Sequence, residues 1–541
     1  MLIDVLKTHF NGVSSVEIID TELATSLYGK TTFSEPVTVH AALQVKEKSI
    51  IPTIIKLANS QSWQLYPVSS CKNWGYGSVN NVDECGSRIV LDLSPMNRIY
   101  PVSKELGILT VEPGVTQQIL ADYLEKQDWQ FMTPVTGAGP NCSILSNALE
   151  RGYGITPYTD HFSAVTSLKA YLPNPDLCES EYISATSSLD TSGVDFVDKT
   201  FKWGVGPYIE GLFTQSNFGI VTEATIRLAP KPKGFCAFYI QCFDESKFGQ
   251  LVLLIREVMR SLEGIVGSIN LMDKRRLIAM VADNPQGPGV HAVMNAQQVI
   301  SLGNKNHLPE WMVVGSIYGE PEIVRSAKKI VSRLCKGLGK LIFSDGIAIK
   351  AGTFLSNLVP VGPLKNVRSQ LQSLQEGIDI MQGKPNQVAL PLAYWRNPYK
   401  KADKSKALLP DQDACGLLWY APLIPMEPEA MANFVEFVRK TTPKYGIEPL
   451  ITFTNLRYDC VDSTVPIVFN LKDPDALQAA HACLDELVEI GLRKGYVPYR
   501  LNVEQQRKLL AGQISEELSG KLKMAFDPNN VLAPGRYSSR Y

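Results

Sequence analysis

VTVHAALQVKEKSIIPTIIKLANSQSWQL, residues 37–65, changes its apolar period twice. Its first part is strand-like, Ser49 to Gln61 carries apolar residues at helical spacing, and the strand-like WQLYPVS follows, so the stretch reads as strand, helix and strand. That is an α/β opening. Working outward, a Gly-containing turn (Asn73 to Ser78) precedes the strand RIVLDLS from Arg88, and ILTVEPG runs into the helix-like VTQQILADYLEK. Mixed α and β continues to about Pro230. Between Pro175 and Asp198 the chain is rich in Ser, Asp, Glu and Thr, which predicts a surface loop or insertion.

Beyond LAPKPKG (Leu228 to Gly234) the pattern becomes apolar strand followed by amphipathic helix. FCAFYIQCF precedes Lys247–Leu262, WMVVGSIYG precedes Glu322–Leu338, and VPIVFNL precedes Asp475–Leu492. This predicts a second, α+β domain with helices on one face of an antiparallel sheet. The Lys- and Asp-rich stretch from Arg396 to Gln412 reads as solvated. The closing MAFDPNNVLAPGRY, broken by Asp527, Pro528 and Pro534, reads as ordered coil packed on something.

The 541 residues would make three to four average domains, but large α/β enzymes often use fewer, and two are expected. With 45% apolar and 20% charged residues the chain is compositionally globular, which argues against disorder and coiled coil. Lys and Arg (53) balance Asp and Glu (54), so the strong cationic field needed for nucleic acid or anionic membrane is missing. No apolar stretch reaches the roughly 20 residues of a spanning helix, and Met1–Phe10 lacks a leader pattern, so a cytoplasmic location is expected. The ten Cys include no C-x-x-C pair, and the six His (positions 9, 40, 161, 291, 307 and 481) include no pair at ligand spacing. Free buried thiols and no metal are expected.

Two clusters carry candidate chemistry. WGYG (Trp74–Gly77) alone is more often a turn than a site. TGAGPNCSILSN (Thr136–Asn147) adds Gly and Ser residues whose backbone N–H groups suit a phosphate without much cationic charge. Neither G-x-G-x-x-G after the first strand nor G-x-x-x-x-G-K-[ST] is present, so Rossmann and P-loop readings are unsupported.

NALERGYGITPYTDHF (Asn147–Phe162) and FKWGVGPYIEGLFTQSNFGIVTEATI (Phe201–Ile226) resemble the vanillyl-alcohol oxidase and p-cresol methylhydroxylase (PCMH) family of flavoproteins. The resemblance extends in order through KNWGYGS (Lys72–Ser78), VEPGVT (Val111–Thr116), PYR (Pro498–Arg500) and DPNNVLAPGRY. It implies an α+β chain with a PCMH-type FAD-binding domain over residues 1–230, an antiparallel-sheet cap over 231–492, and a segment 493–541 returning to the FAD domain. FAD would lie between residues 71–78, 136–160 and 214–222. Its contacts would come from Asn73, Trp74, Gly75, Gly77, Ser78, Pro140, Ser143, Asn147, Gly154, Asp160, Gly219, Ile220, Val221 and Arg536.

The same resemblance implies that Tyr76, Tyr499 and Arg500 surround a phenolic oxygen and that Asp160 lies beside flavin N5. A phenol has a pKa near ~10, and a guanidinium with two hydroxyl donors favours its ionised form, which makes the para-benzylic C–H a hydride donor. For Asp160 a helix-cap role competes. His161 reads as structural or as a flavin contact. Trp395 and Trp419 would wall the substrate pocket, or belong to the core. Where many relatives attach FAD covalently, this chain has Leu417, so non-covalent FAD is expected, with Cys71 and Cys415 the residual attachment candidates.

The expected function is hydride abstraction from a para-substituted phenol, with oxygen or a protein reoxidising the flavin, in a homodimer. Two alternatives stay open. One is a 2-hydroxy-acid dehydrogenase with Arg500 gripping a carboxylate; the other is a non-redox flavin-binding isomerase, cyclase or scaffold.

Overall fold

The computed structural model describes residues 2–79, 86–192, 194, 196–345, 365–510 and 514–537. Strands β1 (Val16–Ile19), β2 (Ala41–Val45), β3 (Gln64–Val68) and β4 (Arg88–Asp92) form a sheet ordered β1-β2-β4-β3, in which β2 and β3 both run parallel to β4. The crossover from β2 to β3 is the helix Ile51–Gln61, as the opening stretch predicts. Its Ile51, Ile54, Ile55 and Ala58 recur at helical spacing and are buried on the sheet with Leu43, Leu65 and Leu91. A second sheet, ordered β5-β6-β9-β8, is antiparallel throughout: β5 (Ile99–Ser103), β6 (Ile108–Val111), β8 (Val165–Tyr171) and β9 (Ile220–Arg227). The short β7 (Phe131–Met132) pairs with β10 (Ala229–Pro230).

The remaining strands build one large antiparallel sheet. They are β11 (Gly234–Cys242), β12 (Ile269–Asp273), β13 (Trp311–Gly319), β14 (Lys340–Ser344), β15 (Cys415–Tyr420), β16 (Pro422–Pro425), β17 (Thr452–Asn455), β18 (Cys460–Asn470) and β19 (Val497–Pro498). Their order is β14-β11-β13-β12-β17-β18-β16-β19, with β15 pairing the distal half of β18. Helices Phe248–Ser261, Pro321–Leu334, Pro428–Thr441 and Pro474–Arg493 cover one face. Three of them start with proline, whose fixed φ and missing N–H suit a first helical turn. Their apolar stripes meet Phe238, Leu271, Val313, Phe453, Val465 and Ile467 in one core.

Strand alternation then fixes what the other face presents. Val461, Val465 and Ile467 belong to the helix-side core, so Asp462 and Thr464 point the opposite way. In register beside them stand Leu423 on β16, and Thr454 and Thr452 on β17. This uncovered face turns toward the first two sheets: the Leu417 N–H donates to the Thr32 carbonyl (2.7 Å), and Trp419 Nε1 donates to the Trp74 carbonyl (3.1 Å).

The C-terminal segment packs as ordered coil. Residues Val531 and Ala533 bond the backbone of Leu65 on β3, at 2.7 and 2.8 Å. Lys523, 1% exposed, holds the segment by donating to Asp527 and to the carbonyls of Asn217 and Leu532. Burial pulls its ammonium down to about 8, against the opposing effect of Asp527.

Two stretches depart from the sequence expectation. Residues 175–198 carry a short helix, Ala185–Leu189, and run into another, Val197–Thr200, with Asp198 buried as an acceptor for Ser184 and Ser187. The 396–412 stretch is solvated only in its middle. Arg396 is 1% exposed and donates to the carbonyls of Val290, Ala292 and Gly446, while the buried Asp411 accepts from Trp74. A long arginine can close orphan carbonyls from inside, which composition alone does not reveal. Among the described residues no helix is long and apolar enough to cross a membrane.

Candidate active site

A groove runs between the 69–73 loop after β3, the helix Ile144–Leu149, the approach to β9 and the C-terminal coil. Among the residues expected to hold a cofactor, Asn73, Ser78, Ser143, Asn147, Gly219, Val221 and Arg536 line it, together with Arg500 and Cys71. Trp74, Gly75 and Gly77 line an adjoining crevice with Thr32 and Asp411. Pro140 bonds the backbone of Gln118, Ile220 is buried in the core beneath, and Gly154 packs on His161.

The 71–77 turn is shaped by left-handed backbone at Cys71 (φ 54°), Gly75 (φ 78°) and Gly77 (φ 84°). At Gly75 a side chain has no room, because a Cβ would lie 2.4 Å from Trp419 Cδ1. Thr32 ties this contact together. Its Oγ1 accepts the Gly75 N–H (2.9 Å) and donates to the Leu417 carbonyl (2.9 Å). Trp419 is therefore a docking residue between cap and turn. Trp395 lies elsewhere, in an apolar cluster with Ile278, Met294 and Leu450, its Nε1 on the Ala282 carbonyl.

Tyr76, Tyr499 and Arg500 do converge. The Arg500 guanidinium lies over the Tyr76 ring, 4.3 Å from its centroid, and the Tyr499 ring lies against Tyr153 at 4.9 Å, tilted by 35°. Burial raises both Tyr76 and Tyr499. Arg500 opposes the rise in each, and each hydroxyl influences the other's ionisation. Both are proton-bearing donors at neutral pH.

Glu150, one of the residues that sequence reasoning passed over, organises this end of the groove. It accepts from Arg500 (3.0 Å), Arg536 (2.7 Å) and the Tyr537 hydroxyl, while Arg500 also donates to Asn73 (2.7 Å). Burial alone would raise the carboxyl; the two guanidiniums outweigh it and hold Glu150 at about 2. Two cations against one anion leave a local charge of plus one. The Nε atoms of Arg500 and Arg536 are buried without a partner, so the groove wall offers donors to an acceptor-rich or anionic guest.

Asp160 is exposed, and its Oδ1 accepts the Ser163 N–H at 3.0 Å, the turn-capping arrangement. Its charge still reaches Tyr153. His161 sits behind the groove, its Nδ1 against Asn147 Nδ2 at 2.6 Å, and burial pushes it down to about 4, so the ring is neutral.

Asp462 was also missed. It is 5% exposed, its Oδ2 has one contact, from Thr464 Oγ1 at 3.4 Å, and its Oδ1 is buried without a partner. Burial lifts it to about 7, and its charge acts on Tyr76, Tyr153 and Tyr499.

Residues 39–180 match the FAD binding domain family. The 1'-carboxy-chondrochloren decarboxylase of Chondromyces crocatus is 30% identical over 521 residues, 94% of this chain and 92% of that protein. This chain belongs to the PCMH-type FAD-binding flavoproteins. The flavoprotein is also 26% identical to the 4-cresol dehydrogenase [hydroxylating] flavoprotein subunit of Pseudomonas putida, over 92% of this chain and 87% of that one. Its fold superposes on p-cresol methylhydroxylase with substrate bound (TM-score 0.81, 23% identity, 96% and 93% of the chains). It superposes equally on the 4-ethylphenol oxidase from Gulosibacter chungangensis (TM-score 0.81, 20% identity, 96% and 94%). The flavoprotein is an FAD-dependent oxidoreductase with the two-part PCMH-type architecture.

The groove fits FAD: it is long, polar along the 69–73 and 143–147 walls, and ends at two orphan guanidinium donors. Cys71 and Cys415 are both pushed up to about 12 by burial, which keeps them as thiols rather than nucleophilic thiolates.

Proposed function

We propose that this flavoprotein oxidises a para-substituted phenol bound between Tyr76, Tyr499 and Arg500. The observation that carries the reading is the convergence of one guanidinium and two protonated hydroxyls in a buried site with a residual positive charge. Such a site selects an oxyanion. Arg500, oriented by Glu150 and Asn73, would hold the phenolate oxygen, and Tyr76 and Tyr499 would donate to it. FAD, when bound, supplies the two-electron acceptor that takes hydride from the benzylic carbon. The ionised ring favours that loss, leaving a quinone methide open to water or an internal nucleophile. A 2-hydroxy acid fits less well, because Arg500 Nη2 is already engaged by Asn73 and Glu150 and is not free to pair with Nε as a fork on two carboxylate oxygens.

FAD is held without a covalent bond in this reading: Leu417 offers no nucleophile, and the Cys71 and Cys415 thiols stay protonated. Oxygen or a protein serves as final acceptor.

One further observation favours a carboxylated phenol. Arg276 donates from Nε to Thr452 Oγ1 (3.3 Å), and its Nη1 is buried without a partner. Burial lowers it to about 10, so it remains a cation at neutral pH. Thr452 pairs with Thr464, which puts this guanidinium on the same face of the sheet as Asp462. Three strand spacings, roughly 14 Å, separate β17 from β19 and the phenol-binding pair. An anionic group on a long para substituent would find a counter-charge in Arg276, whose present charged neighbour is Asp273, in keeping with the decarboxylase among the relatives.

The test is anaerobic bleaching of the bound flavin by para-alkylphenols with and without a side-chain carboxylate, with released carbon dioxide measured alongside. Bleaching by phenols but not by their O-methyl ethers supports the reading; equal bleaching by the ethers, or by 2-hydroxy acids alone, refutes it.

A further inference from the structure

The same site holds a group that the reaction so far leaves unused. Asp462 lies on β18, on the face turned toward the first two sheets, with Oδ1 buried and unpartnered. Leu423 on β16 and Thr454 on β17 stand beside it in register and bring no charge. Its charge acts on three titratable groups of other elements: Tyr76 in the turn after β3, Tyr153 in the loop after Ile144–Leu149, and Tyr499 in the turn after β19. From its own strand, Cys460 also feels its charge. Arg500, the cation of the cluster, is engaged by Glu150 and Asn73 instead. A carboxyl placed so, beside tyrosines and without a counter-ion, is costly when ionised and has an open oxygen when it is.

We infer that Asp462 is the acceptor of the substrate's phenolic proton, reached through the hydroxyls of Tyr76 and Tyr499. The inference rests on the phenol reading above and adds the fate of the proton to it. The O–H bond of the phenol breaks, an O–H bond forms on Asp462, and no proton leaves the site. Charge explains why this works. Before binding, Arg500, Arg536 and Glu150 sum to plus one and an ionised Asp462 brings the cluster to zero. After a neutral phenol enters and passes on its proton, phenolate carries the negative charge and Asp462 is neutral. The sum is unchanged, so no net charge is carried into the buried site. The acceptor must start ionised, and because burial lifts Asp462 to about 7, it does so only above that pH. A phenol near ~10 is a weaker acid by about a thousandfold, the difference that Arg500 and the two hydroxyl donors must offset.

The probe is 4-fluorophenol with the holoenzyme. It has no benzylic carbon, so it binds without turnover. Its fluorine resonance reports whether it is bound as phenol or phenolate, and calorimetry in two buffers of different ionisation enthalpy counts protons exchanged with solvent. At pH 8 the wild type should bind phenolate with no proton released, and the phenolate signal should give way to neutral phenol below about pH 7. Asp462→Asn should bind either the neutral phenol or phenolate with one proton released. Thr464→Val, which removes the one contact favouring the carboxylate, should move the transition upward. A wild type that releases one proton per phenolate bound, or an Asp462→Asn protein indistinguishable from wild type, overturns the role of Asp462 and leaves the phenol site standing. Failure of the wild type to bind any phenol overturns the phenol site and Asp462's role together.

Discussion

Glu150→Gln is the sharpest perturbation the site offers, because one carboxylate holds Arg500, Arg536 and Tyr537. Its titration is drawn from the usual 4.5 down to about 2, the guanidiniums outweighing the opposing effect of burial, with a fifth of the side chain exposed (19%). A shift of that size corresponds to about 3 kcal/mol of folded-state stability at neutral pH. Because the folded-state value is depressed, that stability is fully present above about pH 4.5 and is lost as pH falls toward 2. In thermal unfolding Glu150→Gln should melt roughly 6–12 °C below wild type at pH 7 if the FAD-binding part unfolds as one unit. The gap should shrink as pH falls through that window, because the wild type loses what the variant never had. Phenolate affinity should move the other way and increase, since Arg500 and Arg536 no longer share their charge with a carboxylate. Opposite signs in the two measurements separate this effect from general damage to the fold. An unchanged melting temperature at pH 7, or a gap that stays constant to pH 3, would refute the reasoning.

Arg500→Ala should lower kcat/KM for a phenol by on the order of 10²-fold or more, about 3 kcal/mol, with Tyr499→Phe costing less; wild-type rates of flavin reduction in both variants would remove these residues from the phenol oxygen. Asp160→Ala should cost ~1 kcal/mol of stability through the lost Ser163 contact, read by thermal unfolding, while a strong slowing of anaerobic flavin reduction with FAD retained would restore it to the redox centre. Gly75→Ala places a Cβ on Trp419 at a positive φ and should weaken both stability and FAD retention, measured by flavin release on dilution; an unaffected protein would show that cap docking does not depend on this contact. Acid or heat should release the yellow colour into the supernatant, and colour remaining with the precipitated chain would reveal an attachment residue.

What the sequence could reveal depended on how far each signal reached. The crossover helix Ile51–Gln61 and three of the four cap helices were legible because each buries one apolar stripe, and period is a local property; Pro428–Thr441 was not singled out. Tyr76, Tyr499 and Arg500 were legible only as pieces of motifs some 420 residues apart, and no spacing rule brings them together. Glu150 and Tyr537 lay inside two other matched motifs, NALERGYGITPYTDHF and DPNNVLAPGRY, but a glutamate next to arginine in sequence looks like any surface pair. Its partners Arg500 and Arg536 come from the far end of the chain. Asp462 was hidden for a different reason. Along β18 it alternates with Val461, Ser463 and Val465 as a solvent-facing residue does, and period alone assigns it to water. Only the burial of Asp462, 5% exposed, and the reach of its charge to Tyr76, Tyr153 and Tyr499 show that the water has been replaced by protein. The polar side of an amphipathic strand is thus ambiguous until its covering is known. In this fold the ambiguity falls on a carboxyl with a buried, unpartnered oxygen whose charge acts on Tyr76, Tyr153 and Tyr499, and under the proposed function its titration near neutrality would link the packing of one sheet face to the pH at which a phenol ionises.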